Sequence, residues 1–173
     1  GRDAGALLDL GCGTGALVPR LAGWGVRVRR YVGADLSPGM LRAAEEKAAS
    51  GPFRAAAAAG AADALPFRDA AFDTVATASS LHFWPRPEAA LGEARRVLRP
   101  GGRLLVVDWA RDPLEMRVLE LWLRARSLGR SHHRVLTAAE AGALLERSGF
   151  RVASVERHRI GWPWTLLRAE AEK

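Results

Sequence analysis

Apolar residues along the chain follow two alternating rhythms. Short continuous runs stop abruptly at an acid or a glycine, and longer stretches repeat their apolar positions every three or four residues. The first rhythm predicts strands buried on both faces and the second predicts amphipathic helices; their alternation predicts an α/β fold around a mostly parallel sheet. Ala6–Leu10 is the first such strand and is placed at the centre of the sheet. Leu17, Val18 and Leu21 form one side of a helix that tolerates Pro19 in its first turn and ends at Gly23 and Gly25. Tyr31–Ala34 is the second strand, with Asp35 at its tip. Ser37 and Pro38 open the next helix as cap and first residue, Met40, Leu41, Ala44 and Ala48 form its apolar face, and Gly51 and Pro52 stop it.

Over Arg54–Ala59 two rules conflict. The alanines at 55–59 have the highest helix propensity available, whereas the alternation requires a third strand; a short strand is expected. Phe72–Ala78 is the fourth strand. The helix from Pro87 carries Ala90, Leu91, Ala94, Val97 and Leu98 on one face, with Arg95, Arg96 and Arg99 toward its negative end. Pro100-Gly101-Gly102 is a turn before a fifth strand, Arg103–Val107. A second long helix is read from Leu114 through Val118, Leu121, Trp122, Ala125 and Leu128, followed by a basic break at Gly129–Arg134. Thr137 and Glu140 form a capping box ahead of Leu144 and Leu145, and Gly149 closes that helix. Strands near Arg151–Glu156 and Trp164–Ala169 complete the sheet.

With 173 residues and 49% apolar content, one globular domain over 1–173 is expected. No apolar run approaches the ~18–20 residues of a membrane span, and the N-terminal GRDAG lacks the order of a signal peptide, so a cytoplasmic location is expected. Cys12 is the only cysteine, which excludes an internal disulfide. The net charge of +7 comes almost wholly from arginines spread along the chain, a pattern that fits a solvated surface better than a nucleic-acid patch. His132 and His133 lack acids or cysteines at ligand spacing, so no metal site is expected.

The candidate chemistry begins at Leu7-Leu8-Asp9-Leu10-Gly11-Cys12-Gly13-Thr14-Gly15. A strand that ends in an acid and breaks into alternating glycines before a helix holds a ligand flat against the main chain. Gly11, Gly13 and Ala16 satisfy a dinucleotide fingerprint, and Asp35 lies close to the ~20 residues beyond it expected of a ribose-binding acid. Asp9 argues the other way, because a carboxylate immediately before the glycines repels a pyrophosphate. It favours a ligand that brings positive charge, as the α-ammonium and sulfonium of S-adenosylmethionine (SAM) do.

LLDLGCGTG at 7–15, GADLSPGML at 33–41, ADALPFRDAAFD at 62–73 and EARRVLRPGGRLLVVDW at 93–109 resemble, in order, the motifs of class I SAM-dependent methyltransferases, most closely the ubiquinone and menaquinone biosynthesis branch. The resemblance implies a Rossmann-like doubly wound sheet of about seven strands, mostly parallel with an antiparallel strand near the C-terminus. It implies SAM as cofactor and in-line methyl transfer to a small-molecule acceptor. Asp9, Gly11, Cys12, Gly13 and Gly15 would hold the cofactor; Asp35 would take both ribose hydroxyls; Leu36 and Met40 would line the adenine or ribose edge. The family's acid after Gly60 is replaced here by Ala61, so adenine would be read by the backbone around Ala62, or by Asp63 if the loop shifts by two residues. Ser79 would contact the methionine end, and His82 beside it has the titration range of a general base. Trp84, Trp109, Trp122, Trp162 and Trp164 are candidates for an aromatic wall, and Phe83–Pro87 and the helix from Leu114 for acceptor contacts.

Family members usually carry lid helices before the first strand, and here Gly1–Gly5 precede it. The expectation is an open cleft whose lid comes from a dimer partner or an upstream segment. The competing functions are an NAD-dependent oxidoreductase, a SAM-binding domain without catalysis, and an RNA methyltransferase.

Overall fold

The computed structural model describes residues 3–49, 53–111, 121, 135–161 and 165–173. Strands β1 (Asp3–Leu10), β2 (Arg27–Asp35), β3 (Arg54–Ala59), β4 (Phe72–Ala78), β5 (Leu98–Trp109), β6 (Arg151–Arg159) and β7 (Thr165–Glu172) form one sheet in the order β3-β2-β1-β4-β5-β7-β6. β1 to β5 run parallel, and β7 lies antiparallel to both of its neighbours. The Rossmann-like architecture expected from the sequence is therefore the one observed. Between the strands run α1 (Leu17–Gly23), α2 (Pro38–Ala49), α3 (Pro87–Val97) and α4 (Ala138–Arg147).

Both faces of the sheet are covered because its central strands are apolar on both sides. On β1, Ala6, Leu8 and Leu10 join the core with Leu91, Ala94, Leu144 and Leu145 of α3 and α4. The intervening Leu7 packs with Val18 and Leu21 of α1, Tyr31 of β2 and Ala48 of α2. Each fully buried leucine contributes roughly 1.5–3 kcal/mol, so β1 alone anchors the layers on both sides.

The alanine run at 55–59 is an edge strand, paired in parallel from Tyr31↔Ala55 to Asp35↔Ala59. Ladder pairing to β2 outweighs helix propensity here, because the run has only one face of the sheet edge to fill. The boundary after α3 differs from the sequence reading. Leu98 is fully buried and already belongs to β5, pairing with Phe72, and the expected turn at Pro100–Gly102 is an irregularity within that strand. Gly101, at φ +70°, provides the corner. At α4 the capping box forms: Thr137 Oγ1 accepts from Glu140 N at 3.2 Å, and Glu140 Oε2 accepts from Thr137 N at 2.8 Å.

Of the helix expected from Leu114 to Leu128, only Leu121 is described; Leu114, Val118, Trp122, Ala125 and Leu128 lie outside the described residues, as do His132, His133, Trp162 and Trp164. No helix among the described residues is long and apolar enough to cross a membrane. β1 has β2 on one side and β4 on the other, so the chain reverses its winding direction there. The crevice at the carboxyl ends of these strands is where an open α/β sheet binds ligands.

Candidate functional site

The loop after β1 is bound into the sheet rather than left projecting. Gly11 N and Cys12 N both donate to Ala34 O, at 2.8 and 3.1 Å; Gly13 N donates to Asp35 Oδ2 at 2.9 Å; Gly15 N closes the turn on Cys12 O at 2.9 Å. Each of these glycines has positive φ. At Gly11 the lack of a side chain is a spatial necessity as well, since an added Cβ would fall 1.9 Å from Ser80 Oγ. At Gly13 it would meet nothing within 4 Å, so the loop presents bare backbone to open space.

Asp9 lies beneath this loop, 2% exposed, on the α1 and α2 side of the sheet. Its Oδ2 accepts from Tyr31 Oη at 2.6 Å. Burial pushes its carboxyl up to about 6, the Tyr31 hydrogen bond lowers it, and the charge of Asp35 raises it again. The group is thus mainly a carboxylate at neutral pH, acting through space. Cys12 is buried against Leu41 and Ala44 of α2, away from the crevice. Burial, then the charges of Asp9 and Asp35, push its thiol up to about 12, so it is an inert packing group.

A cavity of about 300 Å³ opens at the carboxyl ends of β1 and β2. Gly11, Asp35, Leu36, Ala62 and Asp63 line it, joined by Ser80, Phe83, Trp84, Pro85 and Arg86. Asp35 Oδ1 accepts from Ser37 N at 2.9 Å while Oδ2 holds Gly13 N, so one carboxylate links the glycine loop to the start of α2. Met40, in the first turn of α2, is not among the lining residues. Ser80, rather than Ser79, reaches the cavity. Ser79 sits at φ +53° with its N–H on Val107 O, and this turn brings Ser80 Oγ under Gly11 and within 3.1 Å of Trp84 Nε1.

His82 is buried next to the cavity's wall rather than in it. Its Nδ1 is 2.6 Å from Asp108 Oδ1, its backbone N donates to Asp108 Oδ2 at 3.1 Å, and its ring packs on Phe83 with centroids 4.0 Å apart. Asp108 also accepts from Trp109 N at 2.7 Å. This carboxylate was missed in the sequence, although its signal is the one that marked Asp9: an apolar run, LLVV, ending in an acid at a strand tip. Among the described residues no cluster of three or more histidine, cysteine, aspartate or glutamate side chains could hold a metal ion.

A family profile for the methyltransferase domain matches residues 8–106, from the end of β1 through most of β5. The chain belongs to the class I SAM-dependent methyltransferases. Demethylmenaquinone methyltransferase of Thermus thermophilus is 42% identical over 109 residues, 62% of this chain and 48% of that protein. Malonyl-[acyl-carrier protein] O-methyltransferase of Geobacter sulfurreducens is 35% identical over 164 residues, 90% of this chain and 59% of that one. The chain thus spans about half the length of these relatives. A SAM-dependent methyltransferase of Methanosarcina mazei shares the fold, with a TM-score of 0.80 at 22% identity over 100% of this chain and 93% of that one.

The family and fold imply SAM as the cofactor, and the methyltransferase site has the features to receive it. The open space over Gly13 leaves room for a ligand against the main chain. Asp35 brings a charged acceptor to the cavity's edge. The loop N–H groups described above all go to protein acceptors, leaving none of them to bind a pyrophosphate.

Proposed function

We propose that this methyltransferase binds SAM across the cavity and directs transfer of its methyl group to a small-molecule acceptor. The observation that carries the reading is the pairing of a glycine loop whose N–H groups are bound internally with two carboxylates, Asp35 at the cavity and Asp9 beneath the loop. A phosphate would meet negative charge there with the N–H groups of Gly11, Cys12, Gly13 and Gly15 already engaged, whereas a cation is favoured. The relatives' names, which specify demethylmenaquinone and a malonyl carrier protein, support an acceptor with a small reacting group.

When bound, SAM supplies a methyl already activated by its positive sulfur. The chain's own task is alignment. Asp35 accepts the ribose hydroxyls through charge-assisted hydrogen bonds, Gly11 and Gly13 let the ligand lie on the backbone, and Gly15 closes the turn that carries them. Asp9 adds favourable charge from below, and Trp84, held by Ser80, walls the cavity from water. An acceptor placed in line at ~3–3.5 Å then needs little else. Where the acceptor must lose a proton, His82 is the candidate base: Asp108 fixes its ring through Nδ1, and the ring meets the acceptor once Phe83, which packs on it at the cavity wall, moves aside. Leu36 and Phe83, 71% and 54% exposed at the cavity, need a cover. A partner copy or an upstream segment supplies it in this proposal, which places one domain over 1–173 and its action in the cytoplasm.

Titration calorimetry with SAM, S-adenosylhomocysteine and NADH tests the reading. The first two are expected to bind and NADH is not; tight NADH binding without a SAM response overturns it. Asp35→Ala should weaken SAM by about 1.5–3 kcal/mol, the range for hydrogen bonds to a charged group. Circular dichroism checks that the fold is retained.

His82→Gln should lower turnover by ~10²–10⁴ with a hydroxyl or acidic-carbon acceptor and leave SAM affinity unchanged. A variant that retains most of its activity shows that His82 is scaffolding.

A further inference from the structure

Behind Trp84 lies a second pocket, which methyl transfer does not use. Its volume is about 190 Å³, and it opens between the helical turn Leu81–Phe83, the start of α3 and the face of α4 that carries Glu140, Ala143, Leu144 and Arg147. Trp84 is the one residue that lines both this pocket and the cofactor cavity, and its Nε1 donates to Ser80 Oγ on the cavity side. The floor is apolar: Leu81, Trp84, Leu136 and Leu144 line it and are all buried. An apolar cavity of about 150 Å³ holds a benzene molecule, so this one has room for a ring or a chain of roughly six to eight carbons.

Two charged side chains form the rim, and they differ in what they already hold. Glu140 is engaged on both oxygens: each accepts from Arg111 Nη2, at 2.6 and 2.8 Å, and Oε2 also accepts from Thr137 N. Its charge is neutralised, so it offers little to a cation. Arg147, in the last turn of α4, has a side chain 60% exposed, and its ion pair with Glu88 Oε1 spans 3.8 Å, too long for a hydrogen bond. Among the described residues its guanidinium donates no hydrogen bond, which leaves its planar fork available to a carboxylate. The positive end of α3, whose first residue Pro87 lines the pocket, acts with the same sign.

We infer that this pocket is a second ligand site, for a small carboxylate with an apolar body: the hydrocarbon lies on Leu81, Trp84 and Leu144, and the carboxylate meets Arg147 at the rim. The site stands apart from the cofactor cavity and does not depend on what that cavity binds.

The test uses two probes with the same chain and opposite charge, octanoate and octylammonium. Binding is followed at the Trp84 indole N–H by NMR, with Trp84→Phe identifying the signal. Octanoate is expected to shift it saturably in the millimolar range, as suits a ligand of about ten non-hydrogen atoms. It should bind at least about fivefold more tightly than octylammonium, the scale of an exposed ion pair. Arg147→Gln should bring the two probes to within about twofold of each other. Ala143→Leu, which fills the pocket from α4, should remove saturable octanoate binding, with circular dichroism checking the fold. If Ala143→Leu fails to fold, Arg147→Gln decides alone, its side chain being mostly exposed. The inference is overturned by a Trp84 signal that octanoate does not saturate, or by equal binding of the two probes to the unaltered chain. It is overturned as well by a charge preference that survives Arg147→Gln, or by octanoate binding retained in folded Ala143→Leu, which would put the probe elsewhere.

Discussion

Replacing Gly11 with alanine is expected to abolish measurable SAM binding, with a loss of at least about 100-fold, and to destabilise the ligand-free chain by roughly 2–4 kcal/mol. Two effects act together. Gly11 sits at φ +72°, which costs an alanine about 1–2 kcal/mol. The added Cβ would also stand 1.9 Å from Ser80 Oγ and 2.7 Å from Ser80 Cβ. The second contact lies close to the backbone, so a rotation of the serine hydroxyl does not relieve it. Displacing Ser80 removes the hydrogen bond that holds Trp84 Nε1 and lets the cavity wall shift. Gly13→Ala is the comparison, because its Cβ meets nothing and the strain of positive φ acts alone on the ligand-free chain. Thermal denaturation and calorimetry on both variants separate clash from strain. The double change Gly11→Ala with Ser80→Gly should recover part of the lost stability; no recovery would show that contact with Ser80 is not the cause.

Legibility in the sequence followed burial. β1, β2 and β4 were readable because strands covered on both faces have no polar face to interrupt the run, and their ends were marked by acids and glycines. β3 was readable only through the alternation of elements, since an alanine run at a sheet edge carries no burial signal of its own. The start of β5 is masked in the sequence because Pro100 and Gly101 look like a turn, whereas the backbone before them is already paired to Phe72 through Leu98.

For the candidate site, residues tied to backbone geometry were legible and residues tied to side-chain direction were not. A glycine turn and the acid at the next strand tip are sequence patterns, so Gly11 and Asp35 could be placed beside one cavity in advance. Which of Ser79 and Ser80 faces that cavity depends on one positive φ at a non-glycine residue, which no pattern of neighbours announces. The pairs Arg86 with Asp63 and Asp108 with His82 join segments 23 and 26 residues apart, and only the packed sheet brings them together. Asp9 is the opposite case. Its position was legible, but its carboxylate turns to Tyr31 under the loop, because successive strand residues point to opposite faces and Leu10 takes the cavity side.

That buried pair carries the second large expectation: Tyr31→Phe should destabilise the chain by about 2–4 kcal/mol at neutral pH, and by much less in acid. The Tyr31 hydroxyl provides the one hydrogen bond that the Asp9 carboxylate receives among the described residues. In the unaltered chain, burial raises the Asp9 carboxyl from 3.8 to about 6. The folded state therefore holds its proton more tightly than the unfolded chain does. The stability this confers is fully present below pH 3.8 and is lost as pH rises through about 6. Removing the hydroxyl removes the interaction that lowers this value, so the folded carboxyl moves higher still and the loss continues above pH 6. A carboxylate left bare in the core is then the dominant cost at pH 8, whereas at pH 4 the neutral acid makes the same substitution mild. Denaturant titrations of both proteins from pH 4 to 8 measure the divergence. Tyr31→Phe combined with Asp9→Leu should recover stability at pH 8, since no charge remains to be buried, yet bind SAM more weakly than the unaltered chain. Equal stability of the Tyr31→Phe variant and the unaltered chain across that range would mean that the carboxylate does not depend on this hydroxyl. Recovery of stability together with full SAM affinity in the double variant would mean that Asp9 contributes nothing to the cation above it.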